Sequence, residues 1–377
     1  MQRLRRFVTG VLILVIVVIV IPLIAVNIAC RPFGAPDPEA TVAADNSSAT
    51  SPAIQQIKAD LSAYTRPEDQ TYLTLPEWYI VYSTDEYAVF IIDKLPSRFP
   101  YFQAIGQYWR SYYEVCGVTR TQQYPFNTGY HLSLVVIGAS FTLENTFKGL
   151  YESTVGRFTE RISSPALTQE DFYARQVAKE YGDFIHTIPW YEFPFAARVR
   201  QLWQETSLWG PNPIRKWERK LALSFEYGVK SGYGWLIKKG TGAAYTPEKL
   251  LIQAWAEGVT ATILQQYPDF QVVKPISETV AFVSIPRYEA FTQLLPKLTD
   301  QGVRFVEIAG NDEILITAFA PSTWTYNLDA GTFLFALPVP TQPTRQRIAV
   351  NVPVSALHRV LADLEKQGIR LEHIYDY

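Results

Sequence analysis

Apolar and polar positions divide the chain into stretches of different rhythm. Residues 7–29 carry no charged side chain. At about 1.5 Å per residue, a helix of that length spans roughly 35 Å, enough to cross the hydrocarbon core of a bilayer. Residues 30–63 have no apolar period and are rich in Pro, Ala, Ser, Thr and acids, which reads as a flexible linker. From 64 to 270 apolar residues recur mostly at spacings of three and four. Leu132, Val135, Val136, Ala139, Leu143, Phe147 and Leu150 form one such stripe and predict a helix over about 131–161. Thr168 and Asp171 have the spacing of a capping box and predict a helix over 169–185, which Pro189 and Pro194 interrupt. Two further helices are expected, over 214–239 closed by Gly240, and over about 246–267 with Thr246 as cap and Pro268 as stop.

The rhythm changes after about residue 271. Residues 280–286 alternate as a strand, 288–301 read as a helix closed by Gly302, and 303–308 read as a second strand. Gly310-Asn311-Asp312 turns into a strand over 313–319. After an insertion come a strand over 347–352, a helix over 355–367 closed by Gly368, and a strand over 369–375. The two βαβ segments resemble each other: Gln301-Gly302-Val303-Arg304 corresponds to Gln367-Gly368-Ile369-Arg370. This arrangement resembles the ferredoxin-like α/β plait, which implies a fold and no activity. The expected architecture is therefore α+β. A cytoplasmic start (1–6), a transmembrane helix (7–29) and a linker (30–63) precede an aromatic-rich helical domain (64–270) and a ferredoxin-like domain (271–377).

Charge gives the expected orientation. Arg3, Arg5 and Arg6 precede the apolar run, whereas residues 33–57 hold no Lys or Arg. The positive-inside asymmetry places the N-terminus in the cytoplasm and the bulk outside it, in a bacterial-type inner membrane. With 34 basic and 36 acidic residues, the chain has no global field for nucleic acid. Aromatic residues reach 14%, and eight of the nine Trp fall in 64–270, so the excess belongs to one domain. Two cysteines exclude a disulfide scaffold. Cys30 reads as a lone thiol at the membrane surface; Asn27-Ile28-Ala29-Cys30 only partly matches a lipidation site, because Asn27 stands where an aliphatic residue is usual.

Walker A, Gly-x-Ser-x-Gly, His-Glu-x-x-His, Cys-x-x-Cys and EF-hand patterns are all missing. His358 and His373 are expected at the surface or an edge. His131 and His186 lie in the aromatic domain, and Glu180, Asp183 and His186 recur every three residues along one predicted helix. Together with Glu144 and Glu226 they are the candidates for an acid/base or metal site, with Asp183 and His186 the nearest to a ligand pair; no cofactor is expected. Glu144, Lys148 and Glu152 form an i, i+4, i+8 ladder, ordinarily a solvated helix face.

Trp190, Tyr191, Phe193, Trp203, Trp209 and Trp217 concentrate rings beside a basic stretch. Residues 198–220 hold six basic and two acidic side chains, among them Arg215, Lys216, Arg219 and Lys220. Rings beside a local positive charge suit an anionic lipid or a polyanionic ligand; core filling and a solvated basic face are the ordinary alternatives, and the aromatic domain as a whole is expected to take a lipid, a hydrophobic ligand or a membrane-protein partner. Residues 131–151 and 221–237 are apolar enough to raise membrane entry, although each contains charges. The expected function is a membrane-anchored extracytoplasmic binding or assembly protein, with self-association through the C-terminal domain. The alternative is an anchored enzyme or a metal- or haem-binding protein with its site among His131, Glu144, Asp183 and His186.

Overall fold

A computed structural model of the chain describes residues 20–30, 68–163, 167–241 and 250–376. Its helices are α1 (Ile21–Cys30), α2 (Glu68–Asp93), α3 (Tyr101–Thr121), α4 (Thr128–Tyr151), α5 (Arg157–Ile162), α6 (Gln169–Ile185), α7 (Phe195–Glu205) and α8 (Pro213–Thr241). There follow β1 (Leu251–Glu257), α9 (Ala261–Gln266), β2 (Gln271–Pro275), β3 (Val280–Pro286), α10 (Glu289–Asp300), β4 (Arg304–Ile308), β5 (Glu313–Pro321), β6 (Thr332–Val339), β7 (Gln342–Pro353), α11 (Leu357–Lys366) and β8 (Arg370–Ile374). The fold is α+β, with two four-stranded antiparallel sheets. Contacts divide it into a sheet unit (Met1–Glu77, Gln107–Ser140, Glu248–Tyr377) and a helical unit (Trp78–Gly106, Phe141–Pro247).

In the sheet unit the strand orders are β2-β3-β1-β4 and β6-β7-β5-β8. Residues 246–267, expected as one helix, instead contain β1 and the short α9, with 246–249 outside the described residues. Helical spacing had masked an alternation: Ile252, Ala254 and Ala256 are buried while their neighbours are not, and β1 pairs with both β3 and β4. The two look-alike segments, β3-α10-β4 and β7-α11-β8, do not share a sheet. Each is completed by strands before its helix, β1 and β2 in one case and β5 and β6 in the other. Gly302 and Gly368 close α10 and α11 with φ of 93° and 66°, the left-handed conformation glycine adopts without strain. One apolar core runs through both sheets and their helices, from Ile252 to Ile374.

His373, expected at the surface or an edge, lies on the edge strand β8 and is buried. α10 covers the face of this strand, and the Thr292 hydroxyl lies 3.0 Å from His373 Nδ1. His358 is half-buried beside Arg304. Cys30 is no lone thiol: the end of α1 is joined to α3 by a Cys30–Cys116 disulfide across a separation of 86 residues. Of the expected membrane helix, residues 7–19 lie outside the described residues, as does the linker over 31–63. Among the described residues, no helix is long and apolar enough to cross a membrane.

The helical unit begins from local signals that the chain spells out. The capping box opens α6 as expected: Thr168 N donates to Asp171 at 3.0 Å, and Asp171 N donates to Thr168 Oγ1 at 3.2 Å. The long helix expected over 131–161 is observed as α4, a π turn (Glu152–Gly156) and α5. α8 runs slightly past both ends of its expected span.

Candidate functional site

The i, i+4, i+8 ladder of α4 does not pair within its own helix. Each member reaches across to α8: Glu144 to Lys230 at 2.8 Å, Lys148 to Glu226 at 2.9 Å, and Glu152 to Arg219 at 2.7 Å. The partner numbers fall as the α4 numbers rise, so the helices run antiparallel and the rungs alternate in polarity. Four-residue spacing keeps the first two rungs in register. The third rung, at the start of the π turn, meets Arg219, three residues short of the position 222 that a continued four-residue spacing would give. Gly156 makes room there, since a Cβ at this position would lie 2.4 Å from Glu152 Oε2.

The ladder continues into a buried ion network. Arg215 meets Asp171 at 3.0 Å and Glu218 at 3.1 Å, and Lys216 meets Glu170 at 2.9 Å. Lys220 donates to the Thr206 carbonyl at 2.9 Å. Arg219 also grips Glu218, and Tyr151 donates to that carboxylate at 2.6 Å. Arg215, Lys216, Arg219 and Lys220 are all at most 3% exposed. The basic face expected from this stretch is therefore turned inward: carboxylates on α6, the π turn and α8 itself neutralise it, because buried charge is tolerated only when paired.

Charge sets the titration of these groups. Burial works to raise the Glu226 carboxyl, but the Lys148 and Lys230 ammonium groups outweigh it and hold it at about 2. Burial likewise opposes the charge on Lys148 and Lys230, yet the facing carboxylates hold both above the ordinary lysine range. For Glu152 burial prevails over Arg219, and its carboxyl is raised. Burial also pushes the nearby Tyr181 up to about 12.

Of the other candidates, Asp183 pairs with Lys179 at 2.5 Å on the surface, Glu180 with Arg198 at 2.8 Å, and His186 Nε2 with Asp85 at 2.7 Å. None of these three borders the cavity that Glu144 and Glu226 share. His131 lies in the sheet unit, stacked between Phe126 and Tyr112, with its Nδ1 2.8 Å from the Tyr112 hydroxyl. Burial lowers it to about 4, so it is neutral at pH 7. Among the described residues, no group of three or more His, Cys, Asp or Glu is placed to hold a metal ion.

The rings divide. Phe193 is buried against Tyr181, Phe184 and Phe195; Trp190 and Tyr191 are half-buried, with Trp190 against Tyr233. Trp203 and Trp209 are exposed and flank Trp217 at 6.0 and 6.4 Å. No family model, curated protein or solved structure matches this chain. The function is read from geometry.

That geometry is inverted in polarity. On α8, Ile214, Leu221, Phe225, Val229, Trp235 and Leu236 are exposed, with Phe225 at 76%. At 100° per residue they lie within roughly 60° of one line, while Arg215, Lys216, Arg219, Lys220, Glu226 and Lys230 centre on the opposite side. Phe147 and Leu150 of α4, Phe158 of α5 and Phe172 of α6 are exposed as well. The sequence reading missed Glu170, Asp171 and Glu218 as partners. The available signal was the complementary four-residue charge spacing of Glu144-Lys148-Glu152 and Glu226-Lys230.

Proposed function

We propose that this protein is a single-pass, extracytoplasmic binding or assembly protein of a bacterial-type inner membrane, and that its helical unit docks against the lipid bilayer. The observation that carries this reading is the inversion of α8, whose charged side chains lie inward beside the ring cluster around Phe193 while Leu221, Phe225 and Val229 face outward. In water such a face is unfavourable by about 25 cal/mol per Å² of apolar surface, and exposed apolar surface along a helix suits a membrane or protein interaction site. Lipid removes that cost, and charges that pair with one another in the interior are the arrangement expected beside it. Exposed Trp203 and Trp209 suit the headgroup level. A Cys30–Cys116 disulfide favours an oxidising compartment, in agreement with the positive-inside orientation. It also holds the sheet unit at the end of the apolar run.

The strand orders support a finer assignment of the sheet unit. Each order corresponds to the 4-1-3-2 arrangement of the ferredoxin-like plait, and β1-α9-β2-β3-α10-β4 has its full βαββαβ succession. In this reading the unit is a tandem pair of plaits, the second with residues 322–331 in place of its first helix, and serves as the association module.

The test is extraction of membranes with alkaline carbonate after two cuts. A protease site placed within residues 38–51 is cleaved, and the disulfide is reduced, so that nothing covalent joins body to anchor. The body is expected to stay with the membrane, and the triple variant Leu221→Asp, Phe225→Asp, Val229→Asp is expected to release it. Full release of the unaltered body sinks the proposal.

A further inference from the structure

Beside the first two rungs of the charge ladder, the helical unit holds a half-open cavity of about 100 Å³. Glu144, Lys148, Glu226 and Lys230 all border it. The side chains of Lys148, Glu226 and Lys230 retain 19, 23 and 17% exposure, unlike those of the fully buried network next to them. These are charges turned toward an accessible hollow.

Three properties select what the hollow accepts. Two ammonium groups and two carboxylates sum to zero, so a ligand with a net charge leaves one charge uncompensated in the site, whereas a neutral dipolar ligand does not. Second, acceptor capacity is left over. Glu226 meets both lysines through Oε1, and Glu144 meets Lys230 through Oε1, so the Oε2 atoms enter none of these pairs. Third, the walls hold cations over ring faces: Lys148 lies 4.3 Å from the Tyr87 centroid and Lys230 lies 5.1 Å from that of Tyr181. The rings thus hold the two lysines in place, and a ligand's ammonium group finds the carboxylates. A carboxylate finds two lysines.

We propose that this cavity is a binding site for a small zwitterion, with an ammonium and a carboxylate separated by one or two carbons. Its carboxylate meets Lys148 and Lys230, and its ammonium meets the free edges of Glu144 and Glu226. The site extends the alternation of the ladder by one rung and is independent of what the apolar exterior touches.

Full-length protein in detergent is titrated with glycine and with glycine betaine, and with acetate and methylammonium as probes of one charge each, by ligand-observed saturation-transfer NMR. At least one zwitterion is expected to bind saturably, and each singly charged probe at least about tenfold more weakly. Ala178→Phe fills the cavity without touching a charge and is expected to abolish binding; Glu226→Gln is expected to weaken it at least about tenfold. Circular dichroism of both variants confirms the helical content. No saturable zwitterion signal at tens of millimolar, which leaves water as the only occupant, overturns the proposal. So does acetate or methylammonium binding as well as the zwitterions, or unchanged binding in whichever of the two variants retains its helical content.

Discussion

Arg219 shows how the helical unit is held together residue by residue. Its guanidinium joins Glu152 on the π turn to Glu218 on its own helix, all in the interior. Arg219→Met leaves the buried Glu152 carboxylate without its cation, while Glu218 keeps Arg215, and loss of one partner from a buried pair costs about 3–5 kcal/mol. Urea unfolding in detergent is expected to show a loss of that size, against less than about 0.5 kcal/mol for the exposed Arg200→Met. In the sheet unit, His131 makes a pH-dependent contribution. Burial holds its folded pKa at about 4 against 6.5 unperturbed, so the unfolded chain binds more protons between those values. Stability is then complete above about pH 6.5 and falls as the pH drops toward 4, by up to about 3 kcal/mol. His131→Phe is expected to flatten that slope; an unchanged slope removes His131 as its source.

Among the elements, the π turn carries the third rung of the ladder. Gly156→Ala places a Cβ 2.4 Å from Glu152 Oε2 and displaces the third rung. Overpacking of this kind costs about 1–3 kcal/mol. A thermal scan shows the loss, and restoration by Glu152→Ala in the same chain identifies the clash as its cause. Helices with self-contained signals were legible in the sequence: the Thr168/Asp171 box sets the start of α6, and Gly302 and Gly368 close α10 and α11. β1 was not, because Ala and Gln at its alternate positions suit a helix equally, and its partners β3 and β4 lie beyond the local window. The ladder was hidden for a similar reason. Its charges satisfy the i, i+4 rule within α4, while the partners that win are 67 to 86 residues away. β6 was lost in an insertion whose prolines and turn residues broke the strand pattern.

For the whole molecule, the disulfide and the apolar face of α8 are the features on which the proposed membrane docking rests. The disulfide closes a loop of 86 residues, and chain-entropy reasoning gives such a link about 4–5 kcal/mol. Cys116→Ser is expected to lower the unfolding midpoint by a corresponding amount, and reduction of the unaltered protein should do the same. Candidate site residues were legible singly and not as a set. Sequence joined His131 and His186 by type, whereas folding placed Glu144 and Glu226 with two lysines around one cavity. The inversion of α8 was invisible in composition, since the residue types are ordinary and only their sides are exchanged. It is tested most directly by nitroxide labels at positions 221, 225 and 229 of full-length protein in lipid bilayers, with Glu205 as an exposed polar control. Bilayer docking predicts collision with dissolved oxygen well above collision with a water-soluble nickel chelate at the three α8 positions, and the reverse at 205. Equal access of the nickel chelate at all four positions would contradict it.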